Sequence, residues 1–200
     1  MSTTNDAHRE AMQQAQTEHR EKMAQKTRAD RGLVLIHTGD GKGKSSSAFG
    51  VVARALGWGQ KVGIVQFIKG KWKTGEREFF ARFPEIDWHT MGDGFTWDTQ
   101  DKEQDTQAAM EAFAQACAMM SSGEYDLIVL DEINIALRYD YLDAAAVRDG
   151  LEGRAKQTSV ILTGRDAKPS LMEYADLVTE MVEVKHPFQA GIKAQRGIDY

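Results

Sequence analysis

From residue 32 onward, short apolar runs alternate with longer stretches of helical periodicity. The runs at 33–37, 62–68, 86–91, 127–130, 159–162 and 177–184 predict strands, each short and apolar between turn-forming or charged residues. Between them, 44–57, 101–121, 133–138, 143–152 and 169–175 predict helices. Gly57 and Gly59 close the first of these helices, and Pro169 falls near the first turn of the last, where a missing N–H costs little. In 101–121, Met110, Phe113, Cys117 and Met120 share one face and acids occupy the first turn. Alternation of this kind predicts an α/β fold over 32–200, a mainly parallel sheet with helices on both faces.

Residues 1–31 follow a different pattern. They are rich in Gln, Glu, Lys, Arg and Ala and contain no strand-like run. Asn5 or Asp6 is placed to cap a helix, Glu18 and Lys22 stand at the favourable i, i+4 spacing, and Ala7, Ala11, Ala15 and Met23 make a thin apolar stripe. A helix with so little to bury is marginal alone. Two readings stay open: a frayed, solvated tail, or an arm that orders against a partner subunit or over the active site.

Composition narrows the function. Two hundred residues suit one compact domain. A net charge of −5 disfavours nucleic acid as a partner, because such proteins carry a basic footprint. The one cysteine, Cys117, excludes an internal disulfide and a cysteine-rich metal site, and its helical face predicts a buried, inert thiol. No stretch is apolar enough to span a membrane and no signal peptide stands at the N-terminus, so the expected compartment is the cytoplasm.

The chemistry concentrates where strands end. After the first run comes Thr38-Gly39-Asp40-Gly41-Lys42-Gly43-Lys44-Ser45. This is the pattern of a phosphate-binding loop: glycines let successive backbone N–H groups approach anionic oxygens, and the helix that follows adds its positive dipole end. Lys44 supplies a mobile charge, and Ser45 a hydroxyl for Mg²⁺. The usual spacing is G-x-x-x-x-G-K-[ST]. Here Thr38 stands in the first position and Gly39 follows one residue late, which predicts a tighter start to the loop. The fourth run ends in Asp131-Glu132, resembling a Walker B element at the sheet edge where parallel sheets bind ligands. Strand alternation turns adjacent side chains to opposite faces, so one of the two is expected on the metal; spacing leaves open which. Thr163-Gly164-Arg165 ends the next strand at the same edge, where Arg165 is either a phosphate contact or a surface arginine. Phe95 and Trp97, in the glycine-flanked loop 92–98, either tuck into the core or wall an apolar ligand pocket. The five histidines form no catalytic set, and no nucleophile or strong base stands out.

Together these residues, with Val65-Gln66-Phe67-Ile68-Lys69-Gly70, Gly94-Phe95-Thr96-Trp97 and the ending 184–200 that contains Lys193-Ala194-Gln195-Arg196-Gly197-Ile198-Asp199-Tyr200, resemble the ATP:corrinoid adenosyltransferases of the phosphate-loop type. The resemblance runs from about residue 31 to Tyr200; Asp40, Ser45 and Ser46 depart from the commoner Asn and Thr. It implies a RecA-like P-loop fold, a homodimer, and transfer of the 5′-deoxyadenosyl group of ATP to the cobalt(I) of a corrinoid with triphosphate leaving. It further implies ATP bound by residues 38–46 and Arg165, Mg²⁺ (or Mn²⁺) held by Ser45 with Asp131 or Glu132, and Phe95 and Trp97 below the corrin ring. A reduced flavoprotein is the implied electron donor, and the N-terminal arm is implied to cover the corrinoid. The readings set against it are a RecA-like ATPase acting on nucleic acid, a P-loop small-molecule kinase, and a module that binds without turnover.

Overall fold

The computed structural model describes residues 2–68, 74–90 and 101–200. The chain divides into two compact units, Met1–Asp30 and Arg31–Tyr200. The first is one helix, α1 (Ser2–Ala24), which begins before Asn5 and Asp6, so neither caps it. Its residues from Asn5 onward are exposed, and Glu18 accepts a hydrogen bond from Gln14.

The second unit is built on six strands: β1 (Val34–Thr38), β2 (Val62–Gln66), β3 (Ile86–Thr90), β4 (Leu127–Asp131), β5 (Ser159–Thr163) and β6 (Leu177–Glu180). They pair in the order β3-β2-β4-β5-β1-β6, and every pairing is parallel. Among the described residues, seven helices connect or flank them: α2 (Lys44–Gly57), α3 (Gly75–Phe80), α4 (Lys102–Ser121), α5 (Ile133–Arg138), α6 (Ala144–Glu152), α7 (Pro169–Tyr174) and a single 3-10 turn at Pro187–Ala190. Strand alternation sorts the core into two layers. Leu127, Val129 and Ile161 pack with Ala48, Phe49 and Val52 of α2 and Phe80 of α3. Ile128, Leu130, Val160 and Leu162 pack on the other side with α4, α5, α6 and α7. Both faces of the central strands are therefore apolar, which is why they read as unbroken Val/Ile/Leu runs.

Four details depart from the sequence expectation. The last strand ends at Glu180 rather than 184, and Val182 and Val184 are exposed. α3 forms where no element was predicted. On α4 the buried face is Ala109, Ala112 and Ala116 with Met119 and Met120, while Met110 of the predicted face is 55% exposed. Cys117 is half-buried; burial pushes its thiol up, away from the reactive thiolate.

Because all strands run one way, Thr38, Gln66, Asp131 and Thr163 end at one edge of the sheet. The registers Gln66↔Asp131 and His37↔Thr163 place them side by side.

Candidate active site

β1 delivers the chain into the glycine loop. Thr38 is the last residue of that strand, so its backbone needs no glycine; its Oγ1 accepts from Ala167 N at 3.1 Å. Gly39 and Gly43 have φ of 92° and 110°, a region costly for any side chain. A Cβ at Gly39 would lie 2.5 Å from Met181 O, and one at Gly41 2.8 Å from Val182. Gly41 N donates to Met181 O at 2.7 Å, and Met181 N to Thr38 O at 2.8 Å. The loop thus begins pressed against the chain just past β6, the structural form of its shifted first glycine.

At the far end of the loop, α2 starts at Lys44 with no side chain capping it. Its first-turn N–H groups are left to an anion. Lys44 is buried, and its Nζ donates to Gly41 O at 2.7 Å. Burial lowers its pKa, outweighing the nearby Glu132 and Asp40 charges.

Asp131 is 2% exposed, and its carboxylate is gripped from several sides. Thr163 Oγ1 donates to Oδ1 at 2.8 Å, Gln66 Nε2 donates to Oδ2 at 3.0 Å, and the Ser45 hydroxyl is a further partner. Burial still raises its pKa against these bonds. Glu132 leaves strand geometry, with φ 61° and ψ 21°, to cap α5. Alternation therefore breaks at this residue, and Asp131 and Glu132 both line one cleft, contrary to the expectation that they face apart. Burial, reinforced by the Asp131 charge, pushes the Glu132 carboxyl up to about 7.

That cleft measures about 530 Å³. Among its walls are Lys42, Gly43, Lys44, Ser45 and Ser46 from the loop and first helical turn, both acids, and Arg165. Arg165 reaches Asp40, with NH2 on its carbonyl at 3.1 Å and Nε 3.8 Å from Oδ1. Lys42 is ion-paired with Asp199, which with Ile198 brings the C-terminal segment into the same wall. Phe95, Trp97, Lys69 and Gly70 lie outside the described residues. Gln66 and Arg138 line the same cleft. Sequence reasoning gave no role to Gln66, Arg138 or Asp199, and placed Thr163 at this edge without giving its hydroxyl one. Gln66 was reachable by extending to β2 the sheet-edge rule that found Asp131.

The oxygen donors suit a hard divalent cation. Ser45 and Asp131 are already within hydrogen-bonding distance of each other, and Glu132 shares their cleft. Asp131 and the half-buried Glu132, both with raised pKa, would gain from a cation bound nearby. Among the described residues no group of three or more His, Cys, Asp or Glu could hold a metal ion. Phosphate and water oxygens would complete the shell, as is usual for Mg²⁺.

Comparison with known proteins decides the family. Residues 30–200 match the family model described as ATP:corrinoid adenosyltransferase BtuR/CobO/CobP. The chain belongs to the ATP:corrinoid adenosyltransferase family. A corrinoid adenosyltransferase of Pseudomonas aeruginosa is 52% identical over 194 residues, 96% of this chain and 95% of that protein. One from a Sinorhizobium species is 45% identical over 98% of this chain and 93% of its own, and one from Escherichia coli K12 46% identical over 86% and 87%. Among solved structures, a KaiC-like protein of Pyrococcus horikoshii aligns at 16% identity and a TM-score of 0.40, covering 78% of this chain and 74% of that one. For an adenosyltransferase, a cleft wall that holds no cysteine or histidine among the described residues is in keeping with the chemistry, because the attacking group belongs to the substrate.

Proposed function

We propose that this chain transfers the 5′-deoxyadenosyl group of ATP to the cobalt(I) of a corrinoid. Cobalt(I) contributes the electron pair that forms the cobalt–carbon bond at C5′, the C5′–O bond breaks, and its electrons leave on triphosphate. The observation that carries this reading is the cleft itself: it brings together an uncapped helix start, Lys44, the buried Asp131 and the half-buried Glu132, and among the described residues its lining holds no cysteine or histidine. Catalysis then rests on stabilising a highly anionic leaving group in a site already organised for it. Lys44 lies at the helix start, where triphosphate oxygens accept from the first-turn N–H groups. Lys42 and Arg165 add charge once they exchange Asp199 and Asp40 for phosphate. Ser45, Asp131 and Glu132 would hold Mg²⁺ (or Mn²⁺), which when bound supplies further neutralisation of the phosphate oxygens.

The test uses ATP labelled at the terminal phosphorus, Mg²⁺ and chemically reduced corrinoid under anaerobic conditions. Labelled triphosphate in step with adenosylated corrinoid is expected. Labelled phosphate with ADP, at a rate independent of corrinoid, would put the ATPase first; a labelled phosphorylated acceptor would put the kinase first.

Phe95 and Trp97 are assigned to the lower face of the corrin on family resemblance. There they keep the axial base off cobalt and make cobalt(I) accessible. Replacing both by Ala is expected to spare ATP binding and to reduce turnover of cobalt(II) substrate with a mild reductant far more than turnover of preformed cobalt(I). Equal losses in the two assays would mean plain packing. A homodimer is part of the same reading, and the exposed Val182, Val184 and Phe188 offer apolar surface to a partner. Electron supply by a reduced flavoprotein rests on the resemblance, and residence in the cytoplasm is the default expectation from the sequence. No helix among the described residues is long and apolar enough to cross a membrane.

A further inference from the structure

Thr163 is fully buried at the end of β5, between the strand that leads to the phosphate loop and the strand that ends in the acids. Its hydroxyl is used twice. It donates its one proton to Asp131 Oδ1 at 2.8 Å, and it accepts the backbone N–H of Glu132 at 2.8 Å. That is one donor and one of two acceptor sites of a hydroxyl, both spent on adjacent acids. The second bond matters because Glu132 is held at φ 61°, a conformation that costs a non-glycine residue free energy and needs surroundings to enforce it. The next residues continue the brace. Gly164 has φ 121° and sits so close to the acids that a Cβ there would be 2.9 Å from Asn134 Cβ and 3.2 Å from Glu132 Oε2. Its carbonyl accepts from the fully buried Asn134 Nδ2 at 3.1 Å. Arg165 then reaches the Asp40 carbonyl of the phosphate loop.

We infer that Thr163 is a positioning residue: its hydroxyl sets the rotation of the Asp131 carboxylate and pins Glu132 in the left-handed turn, so that both carboxylates face the cleft at a fixed distance from the phosphate loop. The inference rests on the proposed function only for what the acids are used for. The arrangement of the acids is a matter of hydrogen bonds already present. Valine at 163 keeps the β-branched shape and loses both bonds; serine keeps both bonds and loses a methyl.

The experiment compares Thr163→Val and Thr163→Ser with the parent in two measurements. The first is ATP affinity by calorimetry across a Mg²⁺ titration, which needs no corrinoid. The second is adenosyl transfer to reduced corrinoid. For Thr163→Val, ATP affinity without Mg²⁺ is expected to match the parent, the gain in affinity on adding Mg²⁺ to shrink at least fivefold, and kcat to fall at least tenfold. Thr163→Ser is expected to stay within threefold of the parent in both. Equal loss in Ser and Val, or an undiminished Mg²⁺ effect in Val, overturns the inference. If Val does not fold, Thr163→Cys replaces it; its thiol is of similar size but a weak donor, and it must fall between Ser and Val's expected values or the inference fails. A parent protein with no adenosyl transfer but an intact Mg²⁺ effect on ATP affinity would sink the proposed function and leave the calorimetric test of Thr163 standing.

Discussion

Lys44 carries a charge into a place where burial lowers its pKa, the Gly41 carbonyl accepts from it, and the nearby Glu132 offsets only part of that cost. Replacing it by Ala is expected to cost roughly 3 kcal/mol or more of transition-state stabilisation, the scale of a single lost electrostatic donor. Ligand-free thermal stability should hold or rise slightly, because a poorly compensated buried ammonium is removed. Steady-state kinetics and a melting curve separate the two effects. Glu132 gives a second expectation. Its carboxyl stands at about 7 in the fold against 4.5 in the free group. Between those values the folded chain keeps a proton that the unfolded chain has released, so stability falls as pH rises through this window. Ligand-free Glu132→Gln should therefore be the more stable protein above pH 7, by about 3 kcal/mol at most, and nearly equal the parent near the unfolded carboxyl's own pKa. Urea midpoints at both ends of the range check it. Residues such as Lys44, Ser45 and the two acids were legible because a motif states their chemistry in consecutive positions. What Thr163 and Gln66 hold was not, because their partners are fixed by cross-strand register, which no local spacing encodes.

β1 and β6 are clasped at their starting ends by one carboxylate. Asp176 accepts from Arg31 through NH2 at 2.5 Å and NH1 at 2.8 Å, and from Val34 N at 2.9 Å. The Arg31 guanidinium holds the Asp176 carboxyl down at about 2. A depressed carboxyl contributes stability that is fully present above its unfolded value and is lost as pH falls through its folded one. Asp176→Asn is thus expected to cost on the order of 1 kcal/mol at pH 7, discounted for the partial exposure of the pair. The difference should close as pH is lowered toward 2, as read from urea unfolding. At this scale the pattern of apolar runs located every strand, since both-sided burial leaves an unmistakable Val/Ile/Leu signature. Boundaries were another matter. The apolar run of β6 continues to Val184, yet β1, its one partner among the described strands, ends at Thr38 where the glycine loop begins, so that ladder stops there. On α4, hydrophobicity pointed to Met110, whereas the buried face carries Ala109, Ala112 and Ala116 with Met119 and Met120. Alanines are too slightly apolar to announce that face, and Gly63 of β2 makes room for its Met119, since a Cβ there would lie 2.4 Å from Met119 Cε.

The molecule as a whole pairs a α/β unit with a helix that buries little of itself. From Asn5 through Ala24, α1 is exposed throughout. Deleting residues 1–25 is expected to leave the melting temperature of the remainder within a few degrees while raising KM for the corrinoid and sparing KM for ATP. A large drop in melting temperature with unchanged corrinoid KM would contradict a role for the arm at the substrate. The thin stripe of the arm was visible in the sequence; what it covers was not, because an amphipathic pattern names a face and no partner. The order of the strands has a temporal consequence. β1 comes first in the chain but lies between β5 and β6, the last two, and the glycine loop is seated on residues 181 and 182 beyond them. A chain still growing on the ribosome therefore carries its phosphate loop early and completes it late. Until β5 and β6 emerge, both edges of β1 present unpaired N–H and C=O groups beside apolar side chains, the kind of surface that pairs with whatever strand is nearest. Nucleotide affinity is the last property such a chain acquires, and β1 is the segment that most needs shielding while it waits.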